Sequence, residues 1–459
     1  MNNSKFDAFK NYVKGKNISV VGIGISNLPL IKFLSENGAL VTACDKKAES
    51  ELGDVACELK KLGVKLNCGE KYLDNLSGEI IFKTPGMRFD LPQLENARKS
   101  GSIITSEMEV FLEVCPAKII AITGSDGKTT TTTLVYKILT ESGYNCHLGG
   151  NIGTPLLCST DQIKNDDIVV LELSSFQLHT MKKSVDVSAI TNITPNHLDV
   201  HKSYEEYVEA KQNIYINAGK ESVLVVNKTN EKSFECKKTA NGTVRVFGYD
   251  KECDVYADDE YIYAFGEKVL CRDSIRIPGE HNVQNFMTAI ALTYPLYKKE
   301  AVEKVAKTFG GVAHRIEFVR ELDGVKYYNS SIDSSPNRTI NTLKVFDKVI
   351  LITGGKDKGI PYDDLGEHLA TKTKHIVLIG KTGPIIKEAL DKYISKTGVG
   401  KDIKTEFCTT YEEAVNCARA VSVPGDIILL SNASTSFDMF KNFEERGNLF
   451  KEIVNNLKD

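Results

Sequence analysis

Short apolar runs alternate with helical patterns along almost the whole chain. The first run, at residues 18–24, precedes a helical pattern at about 28–37 and a second run at 39–44. Further apolar runs lie at 119–123, 168–173, 185–193, 222–226, 349–353, 376–379 and 427–430. Helical patterns at about 204–217 and 281–296 and a hairpin-like stretch at 255–270 lie among them. This alternation is typical of parallel sheets flanked by helices, so we predict an α/β fold.

Two breaks divide this pattern into three blocks. A proline within residues 114–117 interrupts it just before the run at 119–123, and Gly310 and Gly311 form a flexible joint. The 459 residues are too many for a single core. We therefore predict three domains at residues 1–116, 117–311 and 312–459, of which the first and third are Rossmann-like α/β domains. The two glycines are a candidate hinge.

The strongest chemical signal is the stretch Thr123-Gly-Ser-Asp-Gly-Lys-Thr129, where an apolar run breaks into a glycine-rich turn before a helix. Glycines at 124 and 127 allow several N–H groups to converge on phosphate oxygens, and the helix end adds further donors. We expect Lys128 to contact the β- and γ-phosphates of a nucleotide and the Thr129 hydroxyl to contact Mg²⁺. These features predict a central domain of the P-loop ATPase type.

The match to the usual phosphate-loop pattern is imperfect. The longer pattern G-x-x-x-x-G-K-[ST] needs glycine where Ile122 stands, which leaves the shorter T-G-x-x-G-K-T form. A plain turn between a strand and a helix is the alternative. The helical spacing of Leu134, Val135, Ile138 and Leu139 after the Lys-Thr pair favours the nucleotide site.

A second glycine-rich turn lies near the N-terminus, at Gly22-Ile-Gly24-Ile-Ser-Asn27. It is similar to a dinucleotide-binding fingerprint, and Asp45 lies about twenty residues further on, where an acidic residue accepts a ribose hydroxyl. Asn27 replaces the third glycine, which argues against a full NAD site. The turn therefore either binds another nucleotide or has only a structural role.

Three residues of the central block are candidates for chemistry. Glu172 ends an apolar run, as an acidic residue does when it contacts Mg²⁺ beside a phosphate loop, although a solvated strand end is the alternative. His197 lies in Asn196-His-Leu-Asp-Val-His201, where His-x-Asp-x-His also permits a transition-metal site. Lys211 is by its pattern alone an exposed lysine of a helix.

Composition excludes several classes of function. Net charge is −3 with scattered lysine and arginine, so we expect no nucleic-acid binding. The chain has no apolar run near the ~18 residues of a membrane span, so we expect a cytoplasmic protein without membrane insertion. It has 11 cysteines, and the closest pair, Cys408 and Cys417, lies nine residues apart, which fits neither a zinc ribbon nor a disulfide framework. We predict reduced cysteines in the core.

Motifs spread along the chain resemble, in the right order, those of the Mur ligase family, the ATP-dependent amino-acid ligases of peptidoglycan precursor synthesis. They are Thr123–Thr129, Gly149-Gly-Asn-Ile-Gly153, Leu171-Glu-Leu-Ser-Ser-Phe-Gln177, Asn192-Ile-Thr-Pro-Asn-His-Leu-Asp199, Gly279-Glu-His-Asn-Val-Gln-Asn285 and His314-Arg-Ile-Glu317. Among the branches of this family the chain most resembles the one that adds D-glutamate. That finer resemblance is carried by Leu173-Ser-Ser-Phe-Gln-Leu178 and by Ser431-Asn-Ala-Ser-Thr-Ser-Phe-Asp-Met-Phe440 followed by Arg446-Gly447.

The resemblance implies an ATP site, two Mg²⁺ ions and small-molecule substrates, namely ATP, D-glutamate and UDP-MurNAc-L-Ala. The implied catalytic residues are Lys128, Glu172, His197 and Lys211. Thr129, Glu172, His197 and Lys211 would hold metal, with Lys211 carbamylated into a carboxylate-like ligand. ATP would contact Gly124, Ser125, Asp126, Gly127, Lys128, Thr129, Thr130, Asn282, Asn285 and Arg315.

The same resemblance assigns the other substrates. UDP-MurNAc-L-Ala would contact Gly24, Ile25, Ser26, Asn27, Asp45, Thr84, Pro85, Gly86 and Asn151. D-Glutamate would contact Lys358, Ser436 and Phe443, although Lys356 is close enough to leave the choice of lysine open. Without the resemblance, Thr435 and Asp438 have the spacing of a helix capping box. We expect a monomer.

One motif departs from the family. Better-known members have Asp-Ser-Lys where this chain has Ser330, Ser331 and Ile332, so the resemblance does not carry over the contact to the ATP ribose or the lysine near the active site. Two alternative functions stay open at this point. One is a related ligase with another substrate, such as a folylpolyglutamate synthetase or another branch of the Mur ligase family, and the other is a non-catalytic nucleotide sensor.

Overall fold

The computed structural model describes residues 3–24, 26–197 and 200–458. These residues form two compact units, one within 1–274 and 280–305 and the other within 275–279 and 306–459. The first unit contains a five-stranded and a nine-stranded sheet, and the second contains a six-stranded sheet. The predicted α/β fold is confirmed by these three sheets. The domain limits at 116 and 311 stay predictions.

The first sheet is parallel throughout, with strand order β3-β2-β1-β4-β5. Its strands are β1 Asn17–Val21, β2 Leu40–Asp45, β3 Lys65–Cys68, β4 Ile80–Phe82 and β5 Ile103–Thr105. The helices of this region are α1 Ser4–Val13, α2 Asn27–Glu36, α3 Glu49–Leu52, α4 Asp54–Lys61, α5 Pro92–Lys99 and α6 Glu107–Val114. Val20, Leu30 and Phe111 are fully buried between the layers.

The second sheet has strand order β14-β13-β12-β11-β10-β9-β6-β8-β7 and places β6 next to β8 and β9. Its strands are β6 Lys118–Thr123, β7 Cys146–Gly150, β8 Ile168–Glu172, β9 Val187–Ile190, β10 Val223–Asn227, β11 Thr243–Gly248, β12 Val255–Ala257, β13 Tyr261–Ala264 and β14 Glu267–Cys271. The last three pair antiparallel and form the predicted hairpin. Because β6, β8 and β9 run parallel, the loops that follow them meet at one edge.

The helices of the central region are α7 Lys128–Glu141, α8 Ser175–Leu178, α9 Tyr204–Gln212, α10 Glu231–Glu235, α11 Glu280–Thr293 and α12 Lys299–Thr308. Two predicted helix ends were wrong. The helix expected to reach residue 296 ends at Thr293, because Pro295 cannot continue it and restricts the residue before it. The helix expected to reach 217 ends at Gln212, where the amide of Asn213 donates to the carbonyl of Leu178.

The third sheet has strand order β15-β16-β20-β17-β18-β19, and only the β15–β16 pair in it is antiparallel. Its strands are β15 Glu317–Leu322, β16 Val325–Asn329, β17 Val349–Gly354, β18 Thr373–Ile379, β19 Lys404–Cys408 and β20 Ile427–Leu430. Its helices are α13 Pro336–Leu343, α14 Leu365–Lys372, α15 Gly383–Thr397, α16 Tyr411–Ala420 and α17 Phe443–Asn456.

Two expectations from composition can be compared with the fold. Within the described chain, every helix is too short or too polar to span a lipid bilayer. All cysteines are free, but the prediction that they lie in the core was only partly right. Cys44, Cys115, Cys236 and Cys253 are buried, whereas Cys57 is exposed on α4.

Candidate active site

The glycine-rich turn predicted as a phosphate loop connects β6 to α7. Gly127 has φ +78° and Gly124 has φ +155°. A Cβ on Gly124 would lie 1.9 Å from the Thr191 hydroxyl oxygen, and one on Gly127 would lie 2.5 Å from Oδ1 of Asn285. The turn therefore depends on glycine at both positions for close packing, and at Gly127 also for its left-handed backbone.

Residues that follow β9 hold this turn in shape. The Ser125 N–H donates to the backbone carbonyl of Asn192 at 2.8 Å, and the Asp126 N–H donates to the side-chain oxygen of Asn192 at 2.9 Å. The Thr191 hydroxyl donates to the carbonyl of Asp126 at 2.7 Å. Sequence reasoning assigned Thr191 and Asn192 no role, although Asn192 opens one of the quoted motifs. These contacts fix the loop before any nucleotide arrives.

Replacing Gly124 by alanine should lower ATP-dependent turnover by at least about tenfold, since the added methyl group collides with Thr191 and distorts the loop. Steady-state phosphate release measures this effect. A matched control is Gly219→Ala, because a Cβ at Gly219 meets no atom within 4 Å. Equal turnover of the two variants would contradict the dependence on glycine at 124.

Two lysine side chains meet at this loop. Nζ of Lys128 donates to the carbonyls of Gly124 and Ser125 at 3.0 and 2.9 Å. Nζ of Lys211, on α9, donates to the same Gly124 carbonyl at 2.7 Å. Burial and the nearby Lys128 charge hold the pKa of Lys211 well below its ordinary value. The interpretation of Lys211 as an exposed lysine was wrong, since the residue is only 1% exposed.

Glu172 ends β8 inside the protein and is 1% exposed, so the alternative of a solvated strand end was wrong. One carboxylate oxygen accepts a 2.8 Å hydrogen bond from the amide of Asn151. The other, Oε2, is buried without a hydrogen-bond partner among the described residues. A buried carboxylate oxygen in this state is costly unless a cation meets it. The structure thus places Asn151 against Glu172.

His197 is exposed and has φ +54°, a backbone conformation uncommon outside glycine. Its ring packs edge-on against Phe176, 5.2 Å between centroids, at the helix that follows β8. Leu198 and Asp199 lie outside the described residues. His201, the other histidine of the His-x-Asp-x-His pattern, has a fully buried side chain whose Nε2 lies 3.0 Å from the Ser175 hydroxyl.

Several predicted ATP-site residues also brace the loop. Ser125 is buried, and its hydroxyl lies 2.9 Å from the Tyr207 hydroxyl. Asn285 accepts from the Thr131 hydroxyl at 3.2 Å and donates to Asn282 at 3.0 Å, both amides being buried on α11. Thr129 and Thr130 lie in the first turn of α7. Arg315 belongs to the second unit, in the turn before β15.

The glycine-rich turn of the first sheet is held by its own polar side chains. Asp45 accepts from the N–H groups of Ile23 and Lys47 at 2.7 and 2.9 Å. The Asn27 amide is 2% exposed and donates to the Val21 carbonyl at 2.9 Å. Both side chains therefore have a structural role in this state. Ile25 lies outside the described residues, and Gly24 and Ser26 lie beside it at the start of α2.

The loop after β4 contains Thr84, Pro85 and Gly86. Thr84 packs against the first glycine of the fingerprint, since a Cβ on Gly22 would lie 3.2 Å from the Cβ of Thr84. The carboxyl ends of β1 and β4, which are adjacent and parallel, thus bring the two predicted UDP-binding segments together. Ligand contacts at these residues stay predictions.

The predicted amino-acid site lies on loops of the third sheet. Lys358 is exposed after β17, Ser436 is buried after β20, and Phe443 begins α17. The two loops are joined by a bridge between Lys356 and Thr435, with N–H···O distances of 2.8 and 3.2 Å. Both lysines remain candidates. The predicted capping box at Thr435 and Asp438 was wrong, because the helix there begins at Phe443 and Asn442 caps it.

Sequence reasoning quoted Arg446 only as part of a motif and gave it no role, but this residue organises these loops. Its side chain is fully buried in α17, and its guanidinium donates to the carbonyls of Ser331 and Ser434 at 2.7 and 3.1 Å. Nε donates to the Ser331 hydroxyl at 2.9 Å, and that hydroxyl donates to the Phe443 carbonyl at 2.8 Å. Arg446 thus connects the segment after β16 to the loop that contains Ser436.

Replacing Arg446 by methionine should lower the free energy of unfolding of this unit by about 3 kcal/mol, because two buried carbonyls lose their donor. Denaturant titration of the full chain measures the loss. Lys451→Met on the same helix is the control, since Lys451 makes a partly exposed ion pair with Glu317 worth about 1 kcal/mol or less. Similar losses in both variants would contradict the role of Arg446.

The acidic residue that directly follows Ser330 and Ile332 in the chain is Asp333, and it already has other partners. Asp333 is buried and accepts from the hydroxyls of Thr342 and Ser431, both at 2.7 Å, and burial raises its pKa. The Ile332 carbonyl accepts from Arg338 at 3.0 Å. Asp333 is therefore committed to the fold of this segment.

Comparison with known proteins agrees with this geometry. Residues 122–293 match the Mur ligase middle domain, and residues 314–433 match the Mur ligase glutamate ligase domain. The UDP-N-acetylmuramoylalanine--D-glutamate ligase of Ruminiclostridium cellulolyticum is 53% identical over 99% of this chain and 100% of its own. The protein of the same name from Acetivibrio thermocellus is 52% identical over 99% of this chain and 100% of its own.

A solved structure shares the fold. The UDP-N-acetylmuramate-alanine ligase of Thermotoga maritima matches with a TM-score of 0.57 and 19% identity, covering 96% of this chain and 100% of that one. A sequence identity of about one half over the full length of both relatives shows to which family the chain belongs. The chain therefore belongs to the Mur ligase family, in the group of the UDP-N-acetylmuramoylalanine--D-glutamate ligases, and is an ATP-dependent ligase of peptidoglycan precursor synthesis.

Proposed function

We propose that this chain joins D-glutamate to UDP-N-acetylmuramoyl-L-alanine while ATP is converted to ADP and phosphate. The observation that carries the proposal is the convergence of Lys128 and Lys211 on the carbonyl of Gly124 in a fixed glycine-rich loop. Lys128 at such a loop supplies positive charge that phosphoryl transfer requires, and Lys211 places beside it a second amine that modification would turn into a metal ligand. The names of the curated relatives support the choice of substrates.

The reaction proceeds in two displacements. An oxygen of the free carboxylate attacks the γ-phosphorus, the bond from that phosphorus to the bridging oxygen breaks, and ADP leaves. The amine of D-glutamate then attacks the carbonyl carbon of the acyl phosphate, loses a proton and expels phosphate. Lys128 neutralises charge on the transferring group, and the glycine-rich loop orients it. Both roles demand position rather than covalent participation by the protein.

The residues around the loop fit divalent cations. The Oε2 atom of Glu172 is a buried anionic ligand without a hydrogen-bond partner among the described residues, and Thr129 offers a hydroxyl at the helix start. Oxygen ligands of this kind suit Mg²⁺, which when bound neutralises charge on the phosphates. We assign Thr129, Glu172, His197 and Lys211 to two such ions.

Lys211 would serve as a ligand only after modification. Its depressed pKa makes the uncharged amine more available than in an exposed lysine, and an uncharged amine adds to CO₂ with loss of a proton to form a carbamate. The carbamate is anionic and would turn a repulsive neighbour of Lys128 into an attractive one. Burial of Lys211 at 1% exposure would keep solvent protons from the carbamate and so slow its reversal, in which a proton is taken up and CO₂ is lost.

The remaining assignments follow the same family. UDP-N-acetylmuramoyl-L-alanine would lie at residues 24–27, Asp45, 84–86 and Asn151, and D-glutamate at Lys358, Ser436 and Phe443. ATP would also contact Asn282, Asn285 and Arg315. To contact the ligand, Asp45 and Asn27 would give up the hydrogen bonds that their side chains now make to backbone groups. We propose a monomer that acts in the cytoplasm, where ATP is available.

A phosphate-release assay tests the proposal directly. Purified protein receives ATP, Mg²⁺ and UDP-N-acetylmuramoyl-L-alanine with D-glutamate, L-alanine, L-glutamate or diaminopimelate in separate reactions. We expect turnover with D-glutamate alone, and mass spectrometry should show a product larger by one glutamyl group. Turnover with another amino acid and none with D-glutamate would overturn the substrate assignment, and no turnover with any would overturn the ligase activity.

A further inference from the structure

A cluster of nitrogen, oxygen and sulfur atoms lies in the third sheet, apart from the residues assigned to catalysis. His375 is on β18, Glu406 on β19 and Cys417 on α16. A ring nitrogen of the histidine, a carboxylate oxygen of the glutamate and the Sγ atom of the cysteine all lie within 4.8 Å of one another. These are the donor types with which proteins bind Zn²⁺.

The strand pairing explains why these side chains meet. β18 and β19 are parallel, with His375 paired to Lys404, Val377 to Glu406 and Ile379 to Cys408. Because alternate residues project from the same face of a sheet, His375, Glu406 and Cys408 share one face. α16 begins just after β19, and its buried residues Ala414, Val415 and Ala418 pack with Val377 and Ile379 on that face.

Because α16 packs back onto this face of the sheet, Cys417 lies next to Cys408. The thiols of Cys408 and Cys417 interact, and Sγ of Cys417 donates to a carboxylate oxygen of Glu406. Cys408 is not one of the three residues whose ligand atoms lie within 4.8 Å of one another, but its thiol neighbours that of Cys417 and would supply the fourth donor of the site proposed below. We call His375, Glu406, Cys408 and Cys417 the edge cluster.

The histidine of the edge cluster provides an independent observation. His375 is 6% exposed, and its Nε2 atom is buried without a hydrogen-bond partner in the described chain. The nearest Glu406 carboxylate oxygen lies 3.7 Å away, which is too far for a hydrogen bond. Buried polar atoms nearly always have a hydrogen-bond partner. A ring nitrogen without one, directed at a carboxylate and a thiol, therefore indicates a site for a metal ion.

A comparable group in the first unit shares this property, because Nδ1 of His201 is also buried without a hydrogen-bond partner among the described residues. His179, His201 and Glu206 also bring three possible ligand atoms within 4.8 Å of one another. There, however, both carboxylate oxygens of Glu206 accept hydrogen bonds from Arg88, at 2.9 and 3.1 Å. The guanidinium already neutralises that carboxylate, whereas the carboxylate of the edge cluster faces a thiol and an imidazole.

We propose that the edge cluster binds one Zn²⁺ ion through His375, Glu406, Cys408 and Cys417. The ion connects β18, β19 and α16, and so fastens the last strand of the third sheet to the helix that covers it. The site is independent of ligase chemistry, since none of its residues is assigned to a substrate.

Metal binding to the reduced full-length protein tests the proposal. Zn²⁺ is titrated against a chromogenic chelator of known affinity, and bound metal per chain is measured by mass spectrometry. We expect one tightly bound Zn²⁺ per chain, and a loss of affinity of at least about 100-fold in His375→Gln and in Cys417→Ser. Zn²⁺ should raise the thermal unfolding midpoint of the wild type and leave that of these variants unchanged.

Two further variants keep the test decisive. Glu406→Gln alters a half-exposed side chain, so it should fold normally while binding Zn²⁺ at least about tenfold more weakly. Cys57→Ser removes an exposed thiol of α4 and should bind as the wild type does. Unchanged affinity in His375→Gln, or equal losses in Cys57→Ser and Cys417→Ser, would overturn the proposal. So would a disulfide between Cys408 and Cys417 that forms despite bound Zn²⁺.

Discussion

Replacing Lys128 by alanine should lower turnover at least about 100-fold, by analogy with the loss of one donor that stabilises a transition state. The lysine starts α7 and already directs its amine into the glycine-rich loop, where it bonds two carbonyls at 2.9 and 3.0 Å. A γ-phosphoryl group in this loop would draw the amine from those carbonyls. Steady-state phosphate release with saturating substrates measures the loss.

The control for this variant lies on the same helix. Lys137 is exposed, nine residues after Lys128, and Lys137→Ala removes the same charge from α7 without touching the loop. Its turnover should equal that of the wild type. Because Lys128 is part buried, the thermal unfolding midpoint of both variants should be recorded to exclude misfolding. Turnover of Lys128→Ala within about twofold of the control would refute the assignment of Lys128 to the phosphates.

Lys211→Ala should also lower turnover by at least about 100-fold, and added short carboxylates such as formate or acetate should restore part of it. Truncation leaves a space beside Gly124 and Tyr207, whose ring centroid lies 4.6 Å from the lysine Nζ. A small carboxylate can occupy that space with the charge of the proposed carbamate. Turnover is measured as a function of carboxylate concentration, with chloride at equal ionic strength for comparison.

The pH dependence of the wild type gives a second test of Lys211. The pKa of the amine is depressed, so the uncharged form that reacts with CO₂ is available at a lower pH than for an exposed lysine. Activity should therefore rise with added bicarbonate near neutral pH and fall as the pH drops and the amine is protonated. Lys220→Ala, in an exposed turn, should retain this bicarbonate response. Full activity of Lys211→Ala without any carboxylate would exclude the carbamate.

Local sequence patterns predicted much of the fold for a definite reason. Buried parallel strands such as β6, β8 and β17 are continuous apolar runs, and glycine before a Lys-Thr pair marks the turn into α7. Errors occurred where tertiary contacts compete with local pattern, as at the end of α9. The capping-box spacing at Thr435 and Asp438 failed because the chain there pairs with Lys356 instead of forming a helix.

Some residues of the candidate site could likewise be predicted from local sequence, whereas others could not. Lys128 and Glu172 could be selected from their positions at the ends of apolar runs. Lys211 could be selected only from the family resemblance, because its burial results from α9 packing on the phosphate loop. Arg446 lies more than one hundred residues from Ser331 in sequence, so no local pattern connects them.

The sequence by itself determined the α/β class, the phosphate loop and the family, because these depend on periodicity and on short motifs whose residues are neighbours in the chain. Only the tertiary structure decided the environment of each functional group. It buried Lys211 beside Lys128, left Oε2 of Glu172 without a hydrogen-bond partner among the described residues, and brought His375 to Cys417 across two strands and a helix. Desolvation and charge proximity depend on distances in space, which residue order alone does not specify.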